Sequence, residues 1–173
     1  KLEEAEKNYK KVIELKPDHV VAHVNLGTLL QTLGKIDAAE VSFKKGIELK
    51  PDFAEAHFNI ANLYQSIRSV NAEVSYKKVI ELNPEHVMAH INLGTLLQRL
   101  GKYDEAEVIF KKGIELKPDF AEAHFNLGNT QKILKKLEEA EASYKKAIEL
   151  KPDLTVIYDN LGNTQLELGK YDE

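Results

Sequence analysis

Five asparagines recur along this chain at near-equal intervals: Asn25, Asn59, Asn92, Asn126 and Asn160. A carboxamide offers an acceptor and two donors, so it can pair with the C=O and N–H of an extended peptide whatever that peptide's side chains are. Asn is also a poor helix former, and repeated copies in the middle of helices ask for a physical reason. Two histidine pairs, His19/His23 and His86/His90, have the i,i+4 spacing that sets two imidazoles on one helix face. No third ligand follows at a useful spacing, and two ligands make an incomplete site, so no metal is expected. Of the serines, Ser42, Ser75 and Ser143 recur at one position of the repeat, which reads as small-residue packing rather than nucleophilic chemistry. No Gly-rich phosphate loop is present. The absence of Cys excludes thiol catalysis, Cys zinc sites and disulfides. No catalytic residue and no cofactor are therefore expected. The compartment stays open, with the cytoplasm as the default for a soluble chain without thiols.

The elements that must position these side chains follow from the prolines. Pro17, Pro51, Pro84, Pro118 and Pro152 are spaced by 34, 33, 34 and 34 residues. A fixed period in this range marks stacked supersecondary units. Each unit reads as two helices. The first follows the Pro-acid pair, with Ala22, Leu26, Leu29, Leu30 and Leu33 at helical spacing. Asp18, Asp52, Asp119 and Asp153 are placed to act as N-caps, and Asp52…Glu55 and Asp119…Glu122 have a capping-box form. Gly34 and Gly101 end the first helix. The second buries Ala39, Phe43, Ile47 and Leu49 and stops at Pro51. The second unit is one residue short at Arg68-Ser69-Val70-Asn71, where a distorted turn is expected. Gly46 and Gly113 lie inside second helices, at a propensity cost of about 1 kcal/mol each, and point to close helix approach.

The period and its signature positions resemble the tetratricopeptide repeat. The pairs Leu26-Gly27, Ile60-Ala61, Leu93-Gly94, Leu127-Gly128 and Leu161-Gly162 carry the resemblance. So do Ala5/Tyr9, Ala39/Phe43, Ala72/Tyr76, Ala106/Phe110 and Ala140/Tyr144. The family's Trp position holds His23, His57, His90, His124 and Tyr158 here. The resemblance implies an all-α fold, a right-handed superhelical solenoid of antiparallel helix pairs. Units are expected as a second helix over 1–16, full units at 17–50, 51–83, 84–117 and 118–151, and a further first helix over 152–169. The first helices would line a concave face. The once-per-unit Asn is similar to the asparagine ladder of the O-linked N-acetylglucosamine transferase repeat domain, which implies a grip on substrate backbone. Phe58, Phe125, Asn62, Asn129, Thr28 and Thr95 flank the ladder as candidate specificity positions. The Lys/Arg carboxylate clamp of chaperone-binding relatives has no counterpart, since Val24, Phe58 and Asn stand at its positions.

The remaining arithmetic narrows the partners. The 173 residues are 43% apolar and 30% charged, with a net charge of −4. That balance gives no electrostatic reason for a nucleic acid partner. The apolar runs are only a few residues long, so no membrane insertion is expected. The second helices carry Glu and Lys four apart, as in Glu6-Lys10 and Glu107-Lys111, which reads as a solvated face. The chain opens on a second helix and closes on Lys170-Tyr171-Asp172-Glu173, the same place in the repeat as Lys1-Leu2-Glu3-Glu4. This suggests an excerpt of a longer array, whose bare ends would allow head-to-tail self-association. The expected function is a non-catalytic scaffold for an extended peptide or protein segment. The alternatives are a substrate-recruiting arm of a larger enzyme such as a glycosyltransferase, and a self-assembling structural array.

Overall fold

A computed structural model of the chain describes residues 1–169. Among them lie ten helices and no strand. They are α1 (Leu2–Leu15), α2 (Val20–Thr32), α3 (Ile36–Leu49), α4 (Ala54–Ser66), α5 (Asn71–Leu82), α6 (Val87–Arg99), α7 (Tyr103–Leu116), α8 (Ala121–Ile133), α9 (Leu137–Leu150) and α10 (Thr155–Leu168). Lys170–Glu173, expected to open a further helix, lie outside the described residues. The chain divides into two compact units, Lys1–Pro84 with α1 to α5 and Glu85–Glu173 with α6 to α10. In the first, α2 pairs with α3 and α4 with α5, while α1 lies on α2 and α3 on α4. In the second, α6 pairs with α7 and α8 with α9, while α7 lies on α8 and α9 on α10.

One aromatic ring anchors each pair. Phe43, Tyr76, Phe110 and Tyr144 are all 0% exposed. Three of these rings sit on a glycine of the preceding helix. A β-carbon on Gly27 would lie 2.6 Å from the Phe43 ring, and on Gly94 or Gly128 it would lie 2.7 Å from Phe110 or Tyr144. The interior glycines Gly46 and Gly113 have the same cause from the other side. A β-carbon there would meet Val24 Cγ2 at 2.8 Å and Ile91 Cδ1 at 2.7 Å. Close approach therefore accounts for both, as the sequence suggested.

The helix starts differ from expectation. Pro17-Asp18 forms a tight turn closed by the His19 N–H on the Lys16 carbonyl at 3.1 Å. The cap falls one residue later, where His19 Nδ1 accepts from the Ala22 N–H and His86 Nδ1 from the Ala89 N–H, both at 3.2 Å. Phe53, Phe120 and Leu154 take the cap position of the other first helices with no side-chain bond. The aspartates are thus turn residues rather than caps, because Pro-Asp suits the two central positions of a turn. Neither Asp52…Glu55 nor Asp119…Glu122 forms a capping box; Glu122 instead accepts from Lys151 Nζ at 3.1 Å.

Every first helix that ends in the interior of the chain stops in a left-handed residue. Gly34 and Gly101 have φ of 73° and 75°, and the same place is held by Arg68 at 55° and Lys135 at 60°. The following N–H reaches back to a carbonyl five residues earlier in each case, including Ser69 to Tyr64 at 2.8 Å. The missing residue of the short unit is therefore absorbed after this turn, in a 12-residue α5 whose N-cap is Val70. A side chain with a β-carbon is strained at positive φ. Lys135→Gly should accordingly raise stability by about 1 kcal/mol, read as a higher urea midpoint; Lys135→Ala, which keeps the strain, should not.

Candidate peptide-binding face

Each first helix carries one ladder asparagine: Asn25 on α2, Asn59 on α4, Asn92 on α6, Asn126 on α8 and Asn160 on α10. All five are half-buried. First helices touch one another within each unit, α2 with α4 in one, and α8 with both α6 and α10 in the other. Among the described residues, the side chains of Asn25, Asn59 and Asn126 have no hydrogen-bond partner. Asn160 Nδ2 donates to Asn129 Oδ1 at 3.2 Å. A half-buried amide that leaves its donors and acceptor unpaired gives up part of its hydration without a replacement.

The flanking candidates divide by chemistry. Asn62 Oδ1 accepts from the Tyr76 hydroxyl at 2.6 Å, and Asn129 Oδ1 from the Tyr144 hydroxyl at 2.8 Å. The same Tyr76 hydroxyl, with its one proton, also lies within hydrogen-bond distance of Gln65 Oε1. Thr28 and Thr95 return their hydroxyls to their own helices, on the Val24 carbonyl at 3.2 Å and the Ile91 carbonyl at 2.9 Å. Phe58 and Phe125 are half-buried and lie against Tyr76 and Tyr144, edge-on in the first pair and tilted in the second, with centroids 6.1 and 6.2 Å apart. The equivalent Val24 and Ile91 are buried. Their partner helices carry Gly46 and Gly113, where the phenylalanine units have Val79 and Ala147. The face thus sets a sunken aliphatic side chain beside a raised ring in α2 and α4 and again in α6 and α8, while α10 has Asp159 at this position.

Charge on this face is sparse, and two of its groups are paired. Lys132 lies 3.4 Å from Glu167. The Glu122 carboxyl is held below its usual range by its own backbone N–H and by Lys151. Burial of the Tyr144 phenol, whose proton is given to Asn129, pushes its pKa up to about 12.

The histidines at the family's Trp position are clasps. His23, His57 and His124 bring Nε2 to 2.9 Å from the carbonyls of Pro17, Pro51 and Pro118, and Tyr158 donates its hydroxyl to Pro152 at 3.1 Å. Each ties a first helix to the turn before it. The replacement of His by Tyr158, another ring with a polar tip, was the signal in the sequence for this role. His90 instead sets Nδ1 3.2 Å from the His86 carbonyl, and burial pulls its pKa down. No group of three metal-ligating side chains exists among the described residues. No helix among them is long and apolar enough to cross a membrane.

Second helices present a solvated face with deeper carboxylates. Glu6, Glu107 and Glu141 are buried, and each pairs with the lysine four residues on, at 2.7 to 2.9 Å. The next lysines along these helices are neutralised too, as in Lys112–Glu115 at 2.9 Å. Lysines at the start of the following second helix complete two of these sites: Lys35 reaches Glu6 at 2.7 Å and Lys136 reaches Glu107 at 2.6 Å.

Family models described as tetratricopeptide repeat match residues 87–120 and 121–154 and residues 8–41, and one described as TPR repeat matches 32–67. The chain belongs to the tetratricopeptide repeat family. A comparison with curated proteins gave no match. Solved structures share the fold. MamA is 28% identical at a TM-score of 0.82, over 87% of this chain and 89% of that one. YrrB, described as a TPR protein with an unusual peptide-binding site, is 22% identical at 0.86, over 95% and 85%. PilF of Pseudomonas aeruginosa is 22% identical at 0.75, over 88% and 70%. The fold class is thus the all-α helix-pair solenoid of this family.

Proposed function

We propose that the chain is a non-catalytic scaffold that binds an extended peptide or partner segment on its first-helix faces. The carrying observation is the state of Asn25, Asn59 and Asn126, half-buried with no side-chain partner among the described residues. A peptide backbone supplies both a donor and an acceptor to each such amide. The raised rings of Phe58 and Phe125 beside them offer apolar contact to alternate side chains. The similar fold of YrrB, whose site is described as peptide-binding, and the likeness of the asparagine spacing to O-linked N-acetylglucosamine transferase arms, support backbone recognition as the mode.

Random linear peptides selected against the chain are the probe. Replacing Asn25, Asn59 and Asn126 together by Ala removes up to three hydrogen bonds, so affinity should fall by about 100-fold, with unchanged circular dichroism. N-methylation of the bound peptide's backbone should weaken binding likewise. The reading fails if the selected peptides bind the triple variant as well as the parent, or if no linear peptide is retained.

A further inference from the structure

Helices α4 and α8 open on the same run of residues, Ala54 to Asn59 in one and Ala121 to Asn126 in the other. In each, an acid, a ring and a ladder asparagine share one helix face at spacings of three and four: Glu55, Phe58 and Asn59 on α4, and Glu122, Phe125 and Asn126 on α8. Their surroundings differ by one charge. Glu122 accepts from Lys151 Nζ at 3.1 Å, and Lys151 is the residue before Pro152, at the end of α9. In the earlier repeat the same place, before Pro84 at the end of α5, is held by Asn83. The backbones match there, with φ −148° and ψ 81° at Lys151 and φ −141° and ψ 88° at Asn83. The side chain that neutralises the acid in one repeat is thus replaced by an uncharged one in the other.

Glu55 is exposed, and among the described residues it has no hydrogen-bond or ion-pair partner. Lys50, the cation before Pro51, is placed over the Phe53 ring at 5.3 Å. Neither α2 nor α4 carries any other Asp, Glu, Lys or Arg, so this first-helix face has one uncompensated negative charge. The half-buried Phe58 ring stands one turn further along α4. An acid in the first turn also complements the helix dipole. Glu122 occupies that same turn, so the dipole accounts for both acids but not for the missing lysine beside one of them.

We infer that the peptide held on the α2 and α4 face carries an arginine or lysine, whose stem lies along the Phe58 ring and whose cation pairs with Glu55. The inference rests on the peptide-binding reading above. A ring face attracts a cation, and a long basic side chain covers apolar surface with its methylenes while its head reaches a polar group. Arginine fits best, because its planar fork stacks on a ring and meets a carboxylate with two parallel hydrogen bonds. On α8, Lys151 already supplies the positive charge, so the peptide needs none there.

Selection of random linear peptides on the chain is the test. Retained peptides should be enriched in arginine or lysine at one position. Selection on Glu55→Gln should lose that enrichment, and on Glu55→Lys it should turn to aspartate or glutamate. One basic peptide is then compared with its neutral analogue, citrulline for arginine or acetyl-lysine for lysine. Glu55→Gln should weaken the basic peptide about fivefold and leave the neutral analogue unchanged, which a merely structural role for Glu55 would not do. Asn83→Lys should weaken the basic peptide likewise with Glu55 intact, by supplying the cation from within the chain. Circular dichroism should be unaltered in all three variants. Retained peptides without basic enrichment, or equal binding of the basic peptide by the parent and Glu55→Gln, overturn the inference and leave the peptide-binding reading standing. Failure to retain any linear peptide overturns both.

Discussion

Phe110→Ala should lower the unfolding free energy by about 3–5 kcal/mol, the usual range for removing a fully buried aromatic ring. Phe110 is 0% exposed. Three of its ring carbons would lie within 2.9 Å of a β-carbon on Gly94. That contact makes a second, sharper expectation. Gly94→Ala alone gains about 1 kcal/mol of helix propensity and loses about 1–3 kcal/mol to overpacking against a ring that cannot retreat, so it destabilises. In the Phe110→Ala background the overpacking is gone and the same substitution should become favourable. Urea titrations of the four chains close the cycle. Equal effects of Gly94→Ala in both backgrounds would show that the glycine is not there for the ring. The natural Ala61 occupies the equivalent place before Tyr76, in the unit whose second helix begins later.

Acid should weaken the chain through Glu107, and Glu107→Gln should remove that sensitivity. The carboxylate is 4% exposed. Burial alone would raise its pKa, but Lys111 at 2.7 Å and Lys136 at 2.6 Å hold it down to about 2. A folded-state pKa below the unfolded value contributes stability that is complete above about pH 4.5. That contribution drains away as the pH falls from there toward 2. Linkage sets a ceiling of about 3 kcal/mol. The two lysines are 50% and 40% exposed, and solvent screening brings the expected loss to about 1–2 kcal/mol. Urea midpoints at pH 7, 4 and 2.5 should show the parent falling across the lower interval, with a flatter profile for Glu107→Gln. Glu6, lowered by Lys10 and Lys35, adds to the same trend in the other unit. A parallel pH profile for the variant would place the acid sensitivity elsewhere.

How much of this could be read from residues alone depends on what each feature rests on. The helix pairs, their buried rings and the close approach at Gly46 and Gly113 were legible because they repeat, and a position that repeats as small or aromatic declares its packing. The helix starts were not. Asp18 has the chemistry of a cap, but the turn made by the preceding proline takes it out of reach and leaves the task to His19. On the candidate face, the once-per-unit asparagine was plain. The bonds of Asn62 and Asn129 to phenols were not, although the signal was present: both asparagines go with a tyrosine, and Thr28 and Thr95 with a phenylalanine. Comparing units within the chain, rather than each unit with a family pattern, would have exposed that rule. The ion pairs that join neighbouring repeats, such as Lys136 with Glu107, were hidden because a separation of 29 residues has no meaning until the helices are stacked.

The short turn after α4 has one more consequence. Lys35 and Lys136 each lead into a second helix and grasp a carboxylate of the second helix before it. At Arg68-Ser69-Val70 that lysine is missing, and Glu40 is held by Lys44 of its own helix and by the Tyr64 hydroxyl. A stacked array behaves as a line of links whose strengths need not be equal. Glu40 of α3 is thus tied to α4 by a neutral donor, where Glu6 and Glu107 are each tied to a later second helix by a cation. Added salt should therefore loosen the ties made by Lys35 and Lys136 and leave the one made by Tyr64 largely in place.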